Sequence, residues 1–199
     1  MAGILLEGIT GAGKTQTLRA LSRHLQFSAL LGTGRIFDED ETFGEVMTEI
    51  QDIEVAPIHH LRRLENVLRT LERADANSGF ILERFHPSYY VLLPDWNLYA
   101  DIDERLSQLG CRTVLLQFAE NQLEARYLDR VDRVETPWLT DMLAHFGSRT
   151  AAVDALLQST HRRAEAARRS RLALCELDTT ERDWDRYAEE IVKFWCKLR

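Results

Sequence analysis

A glycine-rich segment near the start of the sequence restricts the possible folds of this chain more than any other feature. Residues 8–15 read GITGAGKT and fit the pattern GxxxxGK(S/T). The segment follows an apolar run at residues 3–7 and precedes a helical pattern with leucines at positions 18, 21 and 25. A loop between a strand and a helix can point its N–H groups inward, where the helix dipole adds positive potential. The pattern therefore predicts a site for the phosphates of a nucleotide.

The residues of this phosphate-binding loop, or P-loop, have distinct predicted roles. Because glycines permit a tight turn, we expect the loop to bind the nucleotide at five positions, namely Gly8, Thr10, Gly11, Ala12 and Gly13. Lys14 can also bind the nucleotide, by reaching its β- and γ-phosphates. Thr15 can place its hydroxyl on a Mg²⁺ that bridges those phosphates. The predicted cofactors are therefore ATP and Mg²⁺.

The composition argues against large anionic partners. The formal net charge is −7 and the isoelectric point is about 5.4, so no bulk basic field attracts a nucleic-acid backbone or an anionic membrane. No apolar run approaches the roughly 18 residues of a membrane span, and the first residues lack the order of a signal peptide. The three cysteines show no zinc or disulfide spacing and are expected to be buried thiols. We predict a cytoplasmic protein.

Short apolar runs alternate with helical patterns along the chain. Four runs are predicted strands, at residues 3–7, 79–82, 112–118 and 172–177, and residues 29–37 are a weaker candidate. Because these runs are apolar almost throughout, they are typical of strands that helices cover on both faces. We expect a single α/β domain over residues 1–199, with a parallel sheet of about five strands and helices on both faces.

The end of the strand at residues 79–82 narrows the class of nucleotide-binding protein. GTPases carry DxxG and NKxD segments, and neither occurs in this sequence. Motor and transporter ATPases usually end this strand with a magnesium-linked Asp, whereas here Glu83-Arg84-Phe85 follows it. Because ligands bind at the carboxyl ends of parallel strands, we expect Glu83 at the binding edge of the sheet.

Three parts of the sequence resemble the thymidylate kinases and deoxynucleoside kinases. Residues 6–14, LEGITGAGK, resemble the LEGxxGxGK opening of both families. Residues 83–88, ERFHPS, resemble the DRYxxS segment of the first family and the ERS segment of the second. Arg126, Arg130 and Arg133 follow the strand at residues 112–118, as the lid arginines of these families do. The resemblance implies the P-loop NTPase fold with an arginine-bearing lid at about residues 120–150.

The resemblance also implies an activity. A protein of this kind is a P-loop kinase, an ATP-dependent phosphotransferase that moves the γ-phosphoryl group to a small-molecule acceptor. The acceptor would be a nucleoside, a nucleotide or another hydroxylated metabolite. Arg126 and Arg130 would bind the nucleotide from the lid, which would also exclude water. Otherwise these arginines lie on a solvated helix face and pair with Glu124, Asp129 and Asp132.

The residues around the second strand end have roles that the resemblance implies. Glu83 would help to hold Mg²⁺, and Arg84 would contact the acceptor or its phosphate. Apart from the resemblance, Phe85 could stack on the acceptor or belong to the core, and His86 could contact the acceptor or have no role. The proton of the attacking hydroxyl would pass to Glu7 or to Glu83, and Glu7 would also touch the acceptor. The implied catalytic set is Lys14, Glu7, Glu83, Arg84 and Arg130.

Two departures from thymidylate kinases bear on the acceptor. Those enzymes usually carry Asp at the position of Thr10, and they carry an Arg-Pro-Gly segment after the second strand. Here residues 35–37 are followed by the acidic run DEDE at residues 38–41, which would repel an acceptor phosphate and is expected to form a solvated loop. We therefore favour a neutral hydroxyl, such as that of a nucleoside, over a monophosphate.

Two other functions remain open at the level of sequence. The chain could be a nucleotide-binding regulatory module that transfers no phosphoryl group. It could also be a polynucleotide-end kinase, with a local basic patch made of Arg162, Arg163, Arg168, Arg169 and Arg171. The sequence decides neither this choice nor whether the protein is a monomer or a homodimer.

Overall fold

The structure, a computed structural model, describes residues 2–43, 57–126 and 144–197. Within these residues the chain forms one sheet of five parallel strands in the order β2-β3-β1-β4-β5. The strands are β1 (Ala2–Glu7), β2 (Arg35–Phe37), β3 (Gly79–Glu83), β4 (Cys111–Gln117) and β5 (Ala173–Asp178). The prediction of an α/β fold with about five parallel strands is confirmed.

Eight α-helices with described bounds surround this sheet. They are α1 (Lys14–Arg23), α2 (Phe27–Leu31), α3 (Glu39–Thr42), α4 (Pro57–Glu72), α5 (His86–Leu92), α6 (Ala100–Gln108), α7 (Arg149–Arg169) and α8 (Trp184–Cys196). Short 3₁₀ turns lie at Trp96–Leu98 and Glu120–Gln122. In the part of the chain that the structure describes, no helix has the length and apolar character needed to cross a bilayer.

The two faces of the central strand enter two different cores. Ile4 and Leu6 of β1 belong to a cluster that contains residues of α1 and α8, such as Leu21 and Trp195. Leu5, between them, faces a second cluster built from α4, α5 and α6. Successive side chains of a strand point to opposite faces, so an unbroken apolar run is what a sheet between two helical layers needs.

Two details of the sequence interpretation are wrong. Residues 29–31, the start of the weaker strand candidate, belong to helix α2, in which Phe27 and Leu30 pack into the core at helical spacing. The strand is limited to residues 35–37. Of the three cysteines, Cys111 is buried but Cys196 is exposed, because it lies at the end of the amphipathic helix α8.

The strand order brings the carboxyl ends of β1, β2 and β3 together. Leu6 pairs in register with Glu83, and Phe37 pairs with Leu82, so the three strands end at nearly the same level. The loops that leave these ends carry the GITGAGKT segment, the acidic run and the Glu83-Arg84 pair. The fold thus assembles at one edge the segments that the sequence separates.

A close backbone approach near the start of β2 gives the first prediction. A Cβ on Gly34 would overlap the carbonyl oxygen of Gly79, a backbone atom that cannot rotate away. We expect Gly34→Ala to lower the free energy of unfolding by about 1–3 kcal/mol, as overpacking does. Urea denaturation measures this, with Leu25→Ser as the control because that side chain is 96% exposed. Equal stability of the two variants would contradict the close approach.

Candidate active site

The P-loop runs from Gly8 into the first turn of α1 and is packed from two sides. Gly11 (φ +87°) and Gly13 (φ +96°) have left-handed backbones, which glycine adopts without strain. A side chain at Gly13 would also overlap the ring of Trp184, from the start of α8. The carbonyl oxygen of Arg126 lies beside Gly11. The loop therefore needs glycine at these positions for its turn and for its packing.

Lys14 is buried against its own loop. Its Nζ donates to the carbonyl oxygen of Gly8 at 3.1 Å and lies 3.8 Å from Oε2 of Glu39. Burial is the main reason that the pKa of Lys14 falls to about 8, and Arg84 lowers it further, while Glu39 and Glu83 oppose the shift. The site thus holds a cation at a free-energy cost that a bound anion would offset.

Arg84 connects the loops that follow three strands. It has a left-handed backbone with φ +57°, which is uncommon for a residue with a side chain. Its guanidinium is fully buried, donates from Nη2 to Oγ1 of Thr10 at 2.7 Å, and places Nη1 3.1 Å from Oε1 of Glu39. The loops after β1, β2 and β3 are therefore joined by one side chain.

Glu39 is a member of the site that the sequence interpretation missed. The acidic run was expected to be a solvated loop. Three of its four side chains are exposed, as expected, but the run forms α3 instead of a loop, and Glu39 is half-buried. Asp38 caps this helix by accepting the N–H of Glu41 at 3.1 Å, while Oε2 of Glu41 accepts the N–H of Asp38 at 3.4 Å. This capping box turns Glu39 towards Arg84 and Lys14. The Asp-x-x-Glu spacing was the signal that could have revealed it.

Glu83 and Thr15 are the predicted metal-binding residues. Glu83 is only 8% exposed, and burial raises the pKa of its carboxyl group although Lys14 and Arg84 oppose the shift. Thr15 is exposed in the first turn of α1. Among the described residues there is no group of three or more His, Cys, Asp or Glu side chains that could hold a metal ion unaided. A metal would need further ligands, such as phosphate oxygens and water.

The carboxylate of Glu7 is fully buried, and both of its oxygens accept hydrogen bonds from the protein. Oε1 accepts the N–H of Phe85 at 2.8 Å, and Oε2 accepts the hydroxyl of Ser88 at 2.8 Å. Nε of Arg163, on α7, lies 3.3 Å from Oε2. Nothing in the sequence linked Arg163 to this site, because its segment had been interpreted as a basic patch.

Phe85 and His86 point into the protein. Phe85 belongs to the core on the α4 side of the sheet. His86 is fully buried, with Nε2 3.1 Å from Oδ1 of Asp103, and Oδ2 of Asp103 accepts the N–H of Arg171 at 2.9 Å. Contact of either side chain with a substrate stays a prediction.

Arg126 begins the predicted lid and is bound to the loop after β5. Its Nη2 donates to the carbonyl oxygens of Thr179 at 2.8 Å and Thr180 at 2.7 Å, and its guanidinium lies 4.5 Å from the centre of the Phe118 ring. The hydroxyl of Thr179 in turn donates to the carbonyl oxygen of Ala12 at 3.0 Å. Arg126 thus contacts the neighbours of the P-loop, whereas Arg130 and Arg133 lie outside the described residues.

Two expectations about charged surfaces change. Glu124 pairs with Arg149, with 2.6 Å between Oε1 and Nε. The alternative in which the lid arginines lie on a solvated helix face had assigned Glu124 to those arginines instead. Three of the five arginines of the basic patch have carboxylate partners: Arg163 is buried against Glu7, Arg168 makes two hydrogen bonds to Glu176 at 2.8 and 2.9 Å, and Arg171 pairs with Glu104. The feature that favoured a polynucleotide substrate is therefore weakened.

Solved structures with the same fold were found by structural comparison. YorR protein from Bacillus subtilis, in complex with phosphorylated GDP, has a TM-score of 0.64 and 14% identity, over 97% of this chain and 95% of that one. Deoxyadenosine kinase from M. mycoides, with dCMP and dCDP, has a TM-score of 0.60 and 13% identity, over 96% and 97% of the two chains. Shikimate kinase from Bacteroides thetaiotaomicron has a TM-score of 0.54 and 19% identity, over 99% of both.

Sequence comparison adds no relative. No protein-family model matches the chain, and neither does any curated protein. At identities below 20% the structural likeness concerns the fold. The chain therefore shares the fold of these structures, and the predicted P-loop NTPase fold is confirmed.

The buried lysine gives a prediction with a pH dependence. Its folded pKa of about 8 lies below the ordinary 10.5, so the unfolded chain binds more protons between these pH values, and stability rises with pH there. Below pH 8 the cost of the buried charge is fully present. We expect Lys14→Met to raise the free energy of unfolding by about 1–3 kcal/mol at neutral pH and to abolish nucleotide binding.

Urea denaturation and calorimetry with magnesium and ATP measure the two effects of Lys14→Met. The gain in stability should shrink as the pH rises towards 10.5, because the wild-type lysine is then neutral as well. Lys193→Met is the control, because Lys193 is exposed in an i,i+4 pair with Glu189. A variant less stable than wild type at pH 7 would show that the charge of Lys14 stabilises the fold.

Proposed function

We propose that the protein is an ATP-dependent phosphotransferase that moves the γ-phosphoryl group to a neutral hydroxyl of a small molecule, such as a nucleoside. The observation that carries this proposal is the Thr10–Arg84–Glu39 connection beside Lys14. It puts a cation and a carboxylate next to the loop where the triphosphate would lie. Two of the solved structures with this fold are, by name, a deoxyadenosine kinase and a shikimate kinase, whose substrates carry hydroxyl groups.

The donor nucleotide would bind to the P-loop. The backbone of residues 8–13 and the Lys14 ammonium would hold the phosphates, and the Thr15 hydroxyl and Glu83 would hold Mg²⁺ directly or through water. The metal would supply charge neutralisation to the phosphates and the leaving group. Arg126 and Arg130 would bind the nucleotide from the lid side. Support for this arrangement comes from the buried Lys14, whose unfavourable charge an anion would stabilise.

The charge balance favours a neutral acceptor over a monophosphate. Arg84, the residue expected to contact the acceptor, is already paired with Glu39 at 3.1 Å. Glu83 is a second carboxyl group near Lys14, and its charge acts to raise the pKa of that lysine. A phosphate brought to Arg84 would have to displace Glu39 or lie against it, at an electrostatic cost. A hydroxyl can accept from Arg84 and donate to Glu39 without this cost.

Glu39 is the proton acceptor that we propose. Its side chain is 22% exposed and therefore within reach of a ligand, whereas both oxygens of Glu7 already accept hydrogen bonds from protein groups. The acceptor O–H would give its proton to the Glu39 carboxylate as its oxygen bonds to the γ-phosphorus. The bond from that phosphorus to the β,γ-bridging oxygen would break, and ADP would leave with the electron pair.

Substitution of Glu39 tests this assignment. We expect Glu39→Gln to lower kcat by about 100-fold or more, because loss of a general base has this magnitude, with little change in the Kd of ATP. The assay uses labelled ATP, Mg²⁺ and a panel of nucleosides, monophosphates, hydroxylated metabolites and oligonucleotide ends. Glu41→Gln is the matched control, because it lies in the same acidic run and glutamine still serves the capping box.

The same panel distinguishes the alternative functions. Transfer to monophosphates but not to nucleosides would contradict the argument from the Glu39–Arg84 pair. Transfer to oligonucleotide ends alone would make the protein a polynucleotide-end kinase. Tight binding of ATP without transfer to any acceptor would favour a nucleotide-dependent regulatory module. GTP in place of ATP tests the choice of donor.

A further inference from the structure

Glu7 lies at the centre of a buried network that joins β1, α5 and α7. Glu7 and Ser88 have no exposed surface, and Arg163 is 1% exposed. Ser88 donates to Oε2 of Glu7 at 2.8 Å and also accepts Nε–H of Arg163 at 3.2 Å. The three side chains therefore form a closed triangle beneath the end of the central strand.

The cost of burying charged groups explains why the side chains of this network must keep one arrangement. A carboxylate and a guanidinium in the interior each lose their hydration, and this loss is offset only when the partners keep close contact and good hydrogen bonds. Nε of Arg163 lies 3.3 Å from Oε2 of Glu7. Removing one partner of such a pair is strongly destabilising, whereas removing both often costs little.

The network ends at the strained backbone of Arg84. Its N–H donates to the carbonyl oxygen of Leu6 at 3.0 Å, and the next N–H, that of Phe85, donates to Oε1 of Glu7 at 2.8 Å. Residues at the end of β1 thus accept hydrogen bonds from the consecutive N–H groups of Arg84 and Phe85. These two groups flank the left-handed backbone of Arg84, which has a φ of +57°. A backbone of this kind persists only where its surroundings fix it. Its conformation determines where the Arg84 guanidinium points.

We infer that Glu7 and Arg163 are positioning residues that fix the backbone of Arg84, and that Glu7 does not exchange a proton with the acceptor. The kinetic part of this inference rests on the proposed function. Three protein donors surround the two oxygens of Glu7, and this side chain has no exposed surface, so a ligand could reach the carboxylate only by disrupting the network. Arg163, which belongs to a helix remote in sequence, supplies the positive charge that this buried carboxylate needs.

Three variants separate the two roles of Glu7: Glu7→Gln, Arg163→Met and the double variant. Each single substitution removes one charge of the buried pair, so we expect the midpoint of thermal unfolding to fall by about 10 °C and the acceptor KM to rise by about 10-fold. In the double variant no charge of the pair remains, and the Gln amide oxygen can still accept the Phe85 N–H. Its acceptor KM and its unfolding midpoint should return close to the wild-type values, and its kcat should stay close to that of the wild type.

Two further measurements distinguish positioning from general support of the fold. The Phe85 amide should exchange with deuterium about 10-fold faster in each single variant and slowly again in the double variant, while the Kd of ATP stays constant. Arg163→Lys keeps a cation within reach of Glu7. It therefore tests the dependence of the Arg84 backbone on the Glu7–Arg163 pair if Arg163→Met does not fold. Arg168→Met is the control, because it removes an exposed ion pair from the same helix.

The outcomes separate this inference from the proposed function. A double variant with wild-type stability and a protected Phe85 amide, but with kcat lowered by about 100-fold, would make Glu7 the proton acceptor and overturn the inference. Additive losses of the two single variants would overturn it as well, because they would exclude a coupled pair. If the wild type transfers no phosphoryl group, the proposed function fails, while amide exchange and the unfolding midpoints still decide whether Glu7 and Arg163 hold this backbone.

Discussion

Burial of positive charge at the carboxyl edge of the sheet is the constraint on which the rest of the structure depends. Lys14, Arg84 and Arg163 are all buried there, where an isolated cation would be costly. Glu39 lies close to Arg84, and Glu7 lies close to Arg163, so these carboxylates partly offset the cost of burying the two arginines. The lowered pKa of Lys14 indicates that the nearby carboxylates do not fully offset the cost of burying its ammonium group. An edge of this kind is matched to an anionic ligand and not to an apolar one.

The sheet topology explains how distant segments supply these charges. With β1 in the centre and β3 and β4 on either side, the loop after β1 lies between the other loops of the same edge. Helix α7, between β4 and β5, brings Arg163 to Glu7 at the end of β1, and helix α8, which follows β5, brings Trp184 against Gly13 of the loop. The polar residues of the site lie at the carboxyl ends of the strands or immediately after them, as Glu7, Glu83 and Arg84 do. The apolar core and the charged site are therefore consequences of one arrangement of strands.

The parts that sequence reasoning predicted are those with local signals. Residues 8–15 combine glycine, lysine and a strand–helix context, and the apolar runs reveal strands covered on both faces. Glu39 had a local signal, the capping spacing, but its partner Arg84 comes from another loop. Arg163 had none, because a buried arginine on a helix has the same local pattern as an exposed one. Contacts between crossover elements depend on topology, which periodicity alone does not specify.

The support of the P-loop by Thr179 and Trp184 has a consequence for synthesis of the chain on the ribosome. The hydroxyl of Thr179 reaches a carbonyl of the loop across 167 positions of sequence, and the Trp184 ring covers Gly13. A nascent chain that has not yet released these residues would carry the glycine-rich loop without its supports. The capacity of this loop to hold a ligand would therefore arise only once Thr179 and Trp184 have left the ribosome and packed against it.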